Sequence, residues 1–211
     1  MTNTSDFVSV AIPPVGLAGE LRLIEPPRGV VIFAHGSGSS RLSPRNRQVA
    51  QALTDAGMAT LLFDLLTEAE AADRANVFDI DLLARRLVDA IDWVANQPAL
   101  ADLPIGLFGA STGAAAALKA AAARPRAVTA VVSRGGRPDL AGGALPRVTA
   151  PTLLIVGGND EPVLGWNRDA AERICGPVRV TVIPGATHLF EEPGAMEEVT
   201  ALATDWFTER L

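Results

Sequence analysis

The stretch that decides the reading is Ile105-Gly106-Leu107-Phe108-Gly109-Ala110-Ser111-Thr112-Gly113-Ala114-Ala115-Ala116-Ala117-Leu118-Lys119. It opens as an apolar run of strand length and ends as an alanine-rich run of high helix propensity, with room for only a tight turn between them. At the junction, Gly109-Ala110-Ser111-Thr112-Gly113 is the G-x-S-x-G pattern of a strand-to-helix nucleophile elbow. A serine in so sharp a turn crowds its neighbours, so the flanking positions must carry little or no side chain. The hydroxyl then sits at the carboxyl edge of a sheet, above the N-terminus of the following helix. Taken alone, the pattern also fits an ordinary tight turn in an alanine- and glycine-rich chain.

Outward from the elbow, strand-length apolar runs alternate with helical patterns. The strand candidates are Phe7–Ile12, Glu20–Ile24, Val30–His35, Ala59–Asp64, Ile105–Gly109, Ala127–Ser133, Thr152–Gly157 and Arg179–Ile183. Continuously apolar runs such as Val30-Val31-Ile32-Phe33 and Leu153-Leu154-Ile155-Val156 indicate strands buried on both faces. Helices are expected over Pro44–Gly57, behind the N-cap Ser43, and over Asp79–Asn96, where apolar residues recur at helical spacing. Further helices are expected over Thr112–Ala123, Val163–Cys175 and Gly194–Arg210. The expected fold is α/β: a doubly wound, mostly parallel eight-stranded sheet with helices on both faces. Pro13-Pro14-Val15-Gly16 is too short for a helix, so the first two strands read as an antiparallel hairpin at a sheet edge. No linker or composition break divides the chain, which reads as one domain over 1–211. Too few residues separate Ser133 from Thr152 to hold a lid domain.

Composition removes several function classes. Of 211 residues, 48% are apolar and 20% charged, with a net charge of −6, which excludes a mainly disordered chain. Lys119 is the only lysine and no basic run occurs, so no nucleic-acid partner is expected. The longest uncharged stretch, Leu103–Leu118, is too short and too rich in small residues to span a membrane. Met1–Ile12 lacks the basic and apolar regions of a signal peptide, and Cys175 stands alone, so a reducing, cytoplasmic setting is expected. No metal site or cofactor is expected.

A serine nucleophile needs a base, and the chain holds two histidines, His35 and His188. The order Ser…Asp/Glu…His requires a late histidine, which selects His188 in Gly185-Ala186-Thr187-His188. The orienting acid is read as Asp160, at the end of an apolar strand where an open α/β sheet gathers its site. Glu161 is the second choice and Asp64 a weaker one, and Asp160 could instead simply cap a helix. His35-Gly36-Ser37-Gly38 supplies a glycine-rich loop whose backbone comes close to the elbow. The amides of Ser37 and Thr112 are the expected oxyanion donors, with His35 holding the loop. Arg41 and Arg134 are candidate contacts for an anionic substrate group, and Trp166 for an apolar wall.

These motifs together, with Gly157-x-x-Asp160-x-x-Val163, resemble the α/β-hydrolase superfamily from Val30 to Phe207. The likeness is greatest to its small, lidless, dienelactone-hydrolase-like members. Those proper carry cysteine at the elbow, where this chain has Ser111. The resemblance therefore implies a serine hydrolase of small carboxylic esters or lactones, anionic ones among them, acting through an acyl-enzyme without a cofactor. A thioester hydrolase and a non-catalytic or regulatory ligand-binding protein of the same fold are the alternatives. Without a lid, an open, shallow cleft and a preference for short acyl groups are expected. The expected partner is a small-molecule ester, and the chain is expected to be a monomer or homodimer.

Overall fold

Val30–Ala34, Ala59–Phe63, Ile105–Ala110 and Thr152–Gly157 are buried at every residue, as continuous apolar runs must be in a sheet covered on both faces. The computed structural model describes residues 7–211; residues 1–6, part of the segment read for a signal peptide, lie outside the described residues. The strands are β1 (Phe7–Ile12), β2 (Leu17–Arg22), β3 (Val30–Ala34), β4 (Ala59–Phe63), β5 (Ile105–Ala110), β6 (Val128–Arg134), β7 (Thr152–Gly157) and β8 (Val178–Ile183). They form an eight-stranded sheet in the order β1-β2-β4-β3-β5-β6-β7-β8. The β1–β2 hairpin is antiparallel, β2 runs antiparallel to β4, and every other pairing is parallel.

The helices are α1 (Pro44–Asp55), α2 (Glu68–Ala71), α3 (Arg74–Val77), α4 (Ile80–Ala95), α5 (Thr112–Ala123), α6 (Glu161–Ala171) and α7 (Ala195–Thr208), with a 3-10 segment over Pro138–Arg147. On one face, Val49 and Leu53 of α1 and Val199 and Phe207 of α7 pack against Val31, Phe33, Phe108 and Val132. On the other, α4 and α5 bring Leu87, Ile91, Ala115 and Leu118 onto Val30, Ile32, Leu107 and Val131. The alternate residues of β3 thus serve opposite cores, the period-two signature of a strand. Ala114–Ala117 are fully buried, and their small side chains let α5 lie close to the sheet. Among the described residues, no helix is long and apolar enough to cross a membrane.

Two local differences from the sequence reading have clear causes. The second strand begins at Leu17, not Glu20, because Leu17, Gly19 and Leu21 form its buried side. Gly19 hides that alternation: a Cβ there would lie 2.9 Å from Val10 Cγ2, so the inward position carries no side chain. The short helices α2 and α3 were not anticipated. Thr67 caps α2 through a reciprocal capping box with Glu70, and Asp73 caps α3, so local polar caps rather than apolar periodicity specify them.

Candidate active site

Ser111 is held in an unusual backbone conformation, with φ 51° and ψ −121°, between the end of β5 and the start of α5. Such a conformation costs a non-glycine residue about 1–3 kcal/mol and persists only where its surroundings enforce it. Here the Ser111 amide donates to Arg134 O at 3.2 Å, and Ser111 O accepts from the Arg137 amide at 3.0 Å. The two glycines of the motif are required by contact. A Cβ on Gly113 would lie 2.2 Å from Ala34 O, and one on Gly109 would lie 2.5 Å from Ala114 Cα. Any side chain at either position would push the helix off the strands and displace the serine.

The loops after β7 and β8 bring Asp160 and His188 to the same edge. His188 Nδ1 lies 2.7 Å from Asp160 Oδ2, and its Nε2 lies 3.3 Å from Ser111 Oγ. With Nδ1–H donating to the carboxylate, the Nε2 lone pair faces the serine hydroxyl, the tautomer a general base requires. Asp160 makes no side-chain cap for α6, although it precedes that helix. Glu161 is exposed in the first turn of α6, and Asp64 is bonded elsewhere. Residues not singled out from the sequence brace the two loops. Asn159 Nδ2 donates to Gly185 O at 2.9 Å, while Glu192 Oε1 accepts from the Thr187 amide at 3.1 Å and its hydroxyl at 2.6 Å. The Thr187 hydroxyl holds the Glu192 carboxyl below its usual pKa. The Asn immediately before the acid, and a Glu five residues after Thr187, were the sequence signals for both.

His35 closes β3 and spends both ring nitrogens on backbone. Nδ1–H donates to Gly36 O at 3.0 Å, and Nε2 accepts from the Leu65 amide at 3.1 Å. Burial pushes its pKa below the usual histidine value, against the raising effects of the Gly36 bond and Asp64. The ring therefore ties the loop after β3 to the exit of β4. In that loop the Ser37 amide donates to Thr112 Oγ1 at 2.9 Å. The Ser37 N–H is thus occupied by a threonine hydroxyl in the resting arrangement. The Thr112 amide, first in α5, has no acceptor within the helix.

The three candidate substrate contacts are placed differently from expectation. Arg41 gives its guanidinium and its amide to Asp64, and Glu20 stands 4.0 Å from its Nε, so its charge is compensated. Arg134 is 8% exposed and points under the surface rather than to solvent. Its Nε is without a hydrogen-bond partner, and burial together with the nearby Arg45 lowers its pKa to about 10. Trp166 packs with Val156, Val163 and Leu164, and the Arg137 guanidinium covers its ring at 3.9 Å. Arg137 is itself paired with Asp139 through two bonds of 2.9 and 2.8 Å. A cavity of about 610 Å³ does border the site, between the His35–Leu42 loop and the α2–α3 segment.

The sequence profile of the alpha/beta hydrolase domain matches residues 27–203. A Mycobacterium tuberculosis protein, provisionally named a phosphoribosyl transferase, is 63% identical over 204 residues. That match takes in 97% of this chain and 46% of the relative, so the chain spans less than half the length of the curated relative. The crystal structure of dienelactone hydrolase from Anabaena variabilis is 56% identical, with a TM-score of 0.93 and 97% of each chain covered. Est1E from Butyrivibrio proteoclasticus shares the fold at 16% identity, with a TM-score of 0.81 over 97% of this chain and 98% of that one.

Proposed function

The chain belongs to the α/β-hydrolase family, and from that premise we propose that it is a serine hydrolase of carboxylic esters or lactones, with Ser111, His188 and Asp160 as its catalytic triad. The observation that carries this reading is the continuous chain from Asp160 Oδ2 through both nitrogens of His188 to Ser111 Oγ. A ligand-binding protein of this fold has no need to strain a serine and aim an oriented imidazole at its hydroxyl.

The steps follow from the geometry. Ser111 Oγ attacks the substrate carbonyl carbon as its proton passes to His188 Nε2. The carbonyl oxygen takes up the negative charge and is stabilised by the Thr112 amide, together with the Ser37 amide once that amide turns from Thr112 Oγ1. The imidazolium, held by Asp160, gives its proton to the leaving oxygen as the carbon–oxygen bond breaks, which leaves an acyl-enzyme on Ser111. Water then attacks the acyl carbon, His188 takes its proton, and Ser111 Oγ recovers that proton as the acid departs.

The transferase name of the mycobacterial relative belongs to a protein more than twice this length, and its activity is not assigned to this chain. Likewise, the dienelactone named for the Anabaena structure is one member of the ester and lactone class proposed here. The test is covalent. A fluorophosphonate probe is expected to label wild-type protein at Ser111 and to leave folded Ser111→Ala unlabelled, with ester turnover lost in parallel. A folded wild type that neither labels nor turns over esters would return the reading to a binding protein.

A further inference from the structure

The cavity beside Ser111 lies on the side of the nucleophile away from the acid and base. Across the sheet, Asp160 and His188 follow β7 and β8, on one side of β5, whereas the cavity is walled by the loops after β3 and β4, on the other. Gly36 belongs to both sites. It lines the cavity, and a Cβ on it would lie 3.1 Å from Ser111 Cβ and 3.2 Å from Ala110 O. Gly36 thus stands between the nucleophile and the cavity, which is lined from Gly36 and Ser37 outward rather than by Ser111 itself.

Acyl transfer fixes what goes where. The leaving oxygen must lie within reach of His188 Nε2 to receive its proton, so the alcohol portion of an ester departs on the β7–β8 side. The substituent that remains on the carbonyl carbon is the acyl chain, and the space open to it runs past Gly36. We infer that the cavity holds the acyl group of the substrate and that this group is apolar and uncharged, an inference that rests on the serine-hydrolase reading above.

The lining supports that chemistry. Leu65, Leu66 and Leu83 lie beneath the cavity, Ala71 and Val77 of α2 and α3 close the apolar wall, and Ser37, Ser39 and Ser40 line the loop side with hydroxyls. The one cation at the cavity, Arg41, is neutralised by Asp64, and Glu68 adds a negative charge, so a carboxylate on the acyl chain would meet no free positive partner. The volume of about 610 Å³ lies in the range of pockets that enclose a small organic ligand, well above what an acetyl group fills. The inference thus departs from the short-acyl, anionic preference expected from the sequence and calls for longer, neutral acyl groups.

The test varies the acyl and alcohol portions separately. On the wild type, kcat/KM for p-nitrophenyl esters is expected to rise by about fourfold per added methylene from acetate until the cavity is filled. Ala71 is exposed, so Ala71→Trp narrows the cavity without disturbing the core; it is expected to lower the octanoate-to-acetate ratio by about tenfold or more. Ala69→Trp, on the outer side of the same helix, is expected to keep the wild-type ratio, and Val77→Ala to move the optimum to a longer acyl chain. A wild-type profile that falls with acyl length would overturn the inference. So would a loss in Ala71→Trp that is equal across the acyl series or that follows the alcohol in a series of alkyl acetates. Binding separates this from the catalytic reading. Octanamide should bind the Ser111→Ala protein in calorimetry and bind at least tenfold more weakly when Ala71→Trp is added. If no ester is turned over but this difference holds, the hydrolase reading fails and the acyl site stands; if octanamide does not bind, the acyl site is refuted.

Discussion

His35 and His188 stand at the same edge of one sheet, and their environments have almost nothing in common. His188 is partly exposed, with one nitrogen on a carboxylate and the other on a hydroxyl. His35 is set under its loop, with one nitrogen on a carbonyl and the other on an amide. Both partners of His35 are backbone groups that exchange no proton near neutral pH, so the ring acts as a brace. Both partners of His188 are side chains, one an acid and one a hydroxyl, so under the proposed mechanism that ring can take the serine proton while the carboxylate holds the imidazolium. The difference teaches that the role of an imidazole is set by what its two nitrogens touch, more than by how close it lies to the site.

The largest effect that could break this contrast comes from exchanging the two rings' roles. His188→Ala is expected to lower kcat/KM for ester turnover by about 10⁴-fold with little loss of stability, because a triad without its base retains only a small part of its rate. If His35→Leu costs as much turnover as His188→Ala, the division of labour is wrong. Asp160→Asn sharpens the same point. It keeps the shape of the site but reverses the hydrogen bond at Nδ1, and is expected to lower kcat by about 10²- to 10⁴-fold. Loss of less than tenfold would move the orienting role to another acid.

His35→Leu itself should act on stability. It leaves the Leu65 amide without its partner, at a cost of about 1–3 kcal/mol in urea unfolding at pH 7.5. The pH dependence has a definite sign. The pKa of His35 is lower in the folded protein than in the unfolded chain, so the unfolded state binds the proton more readily. The contribution is fully present above the unfolded value of about 6.5 and is lost as pH falls below it, until the folded pKa is passed. A wild-type stability profile measured from pH 8 to 5 should fall more steeply than that of His35→Leu; parallel profiles would remove the brace. The smallest effect concerns Arg134, a buried cation that, unlike the half-buried ring of His35, lacks a partner for its Nε. Replacing it with an apolar side chain, as in Arg134→Met, is expected to stabilise by about 1 kcal/mol, or ~2–4 °C in Tm. A drop in Tm would show that the guanidinium is satisfied.

The α/β fold and the meeting of Ser111, Asp160 and His188 could be read in the sequence because each rests on a strong local signal. Buried parallel strands must be continuously apolar, as in Leu153-Leu154-Ile155-Val156, and the elbow must carry glycine where Gly109 and Gly113 touch backbone. The strand ends follow from the same rule, so three loops distant in the chain arrive at one edge. What the sequence concealed depends on pairings between distant residues. Nothing near Arg41 shows that Asp64, 23 residues later, takes its charge, nor that Arg137 covers the face of Trp166. The α2–α3 wall escaped because four-residue helices have too few turns to show apolar periodicity, although Thr67 and Glu70 already had capping-box spacing. The cavity is a property of that wall and the loop opposite, and neither contains a motif.

The bond from the Ser37 amide to Thr112 Oγ1 has a consequence for selectivity over time rather than over shape. At rest, the donor is already satisfied by a neutral oxygen of the protein itself, so a ground-state carbonyl, also neutral, gains little by displacing it. Only an oxygen that has acquired substantial negative charge outcompetes the hydroxyl, since hydrogen bonds to ionised acceptors are about twice as strong. Under the mechanism proposed above, Thr112 would act as an understudy that yields its place late, and the donor would be withheld from substrate until the reaction is under way. Thr112→Val, which keeps the helix and the backbone amide but removes the understudy, would leave that donor open to every carbonyl that enters. Ground state and transition state should then both be bound more tightly by about the same amount, so that KM falls while kcat changes little.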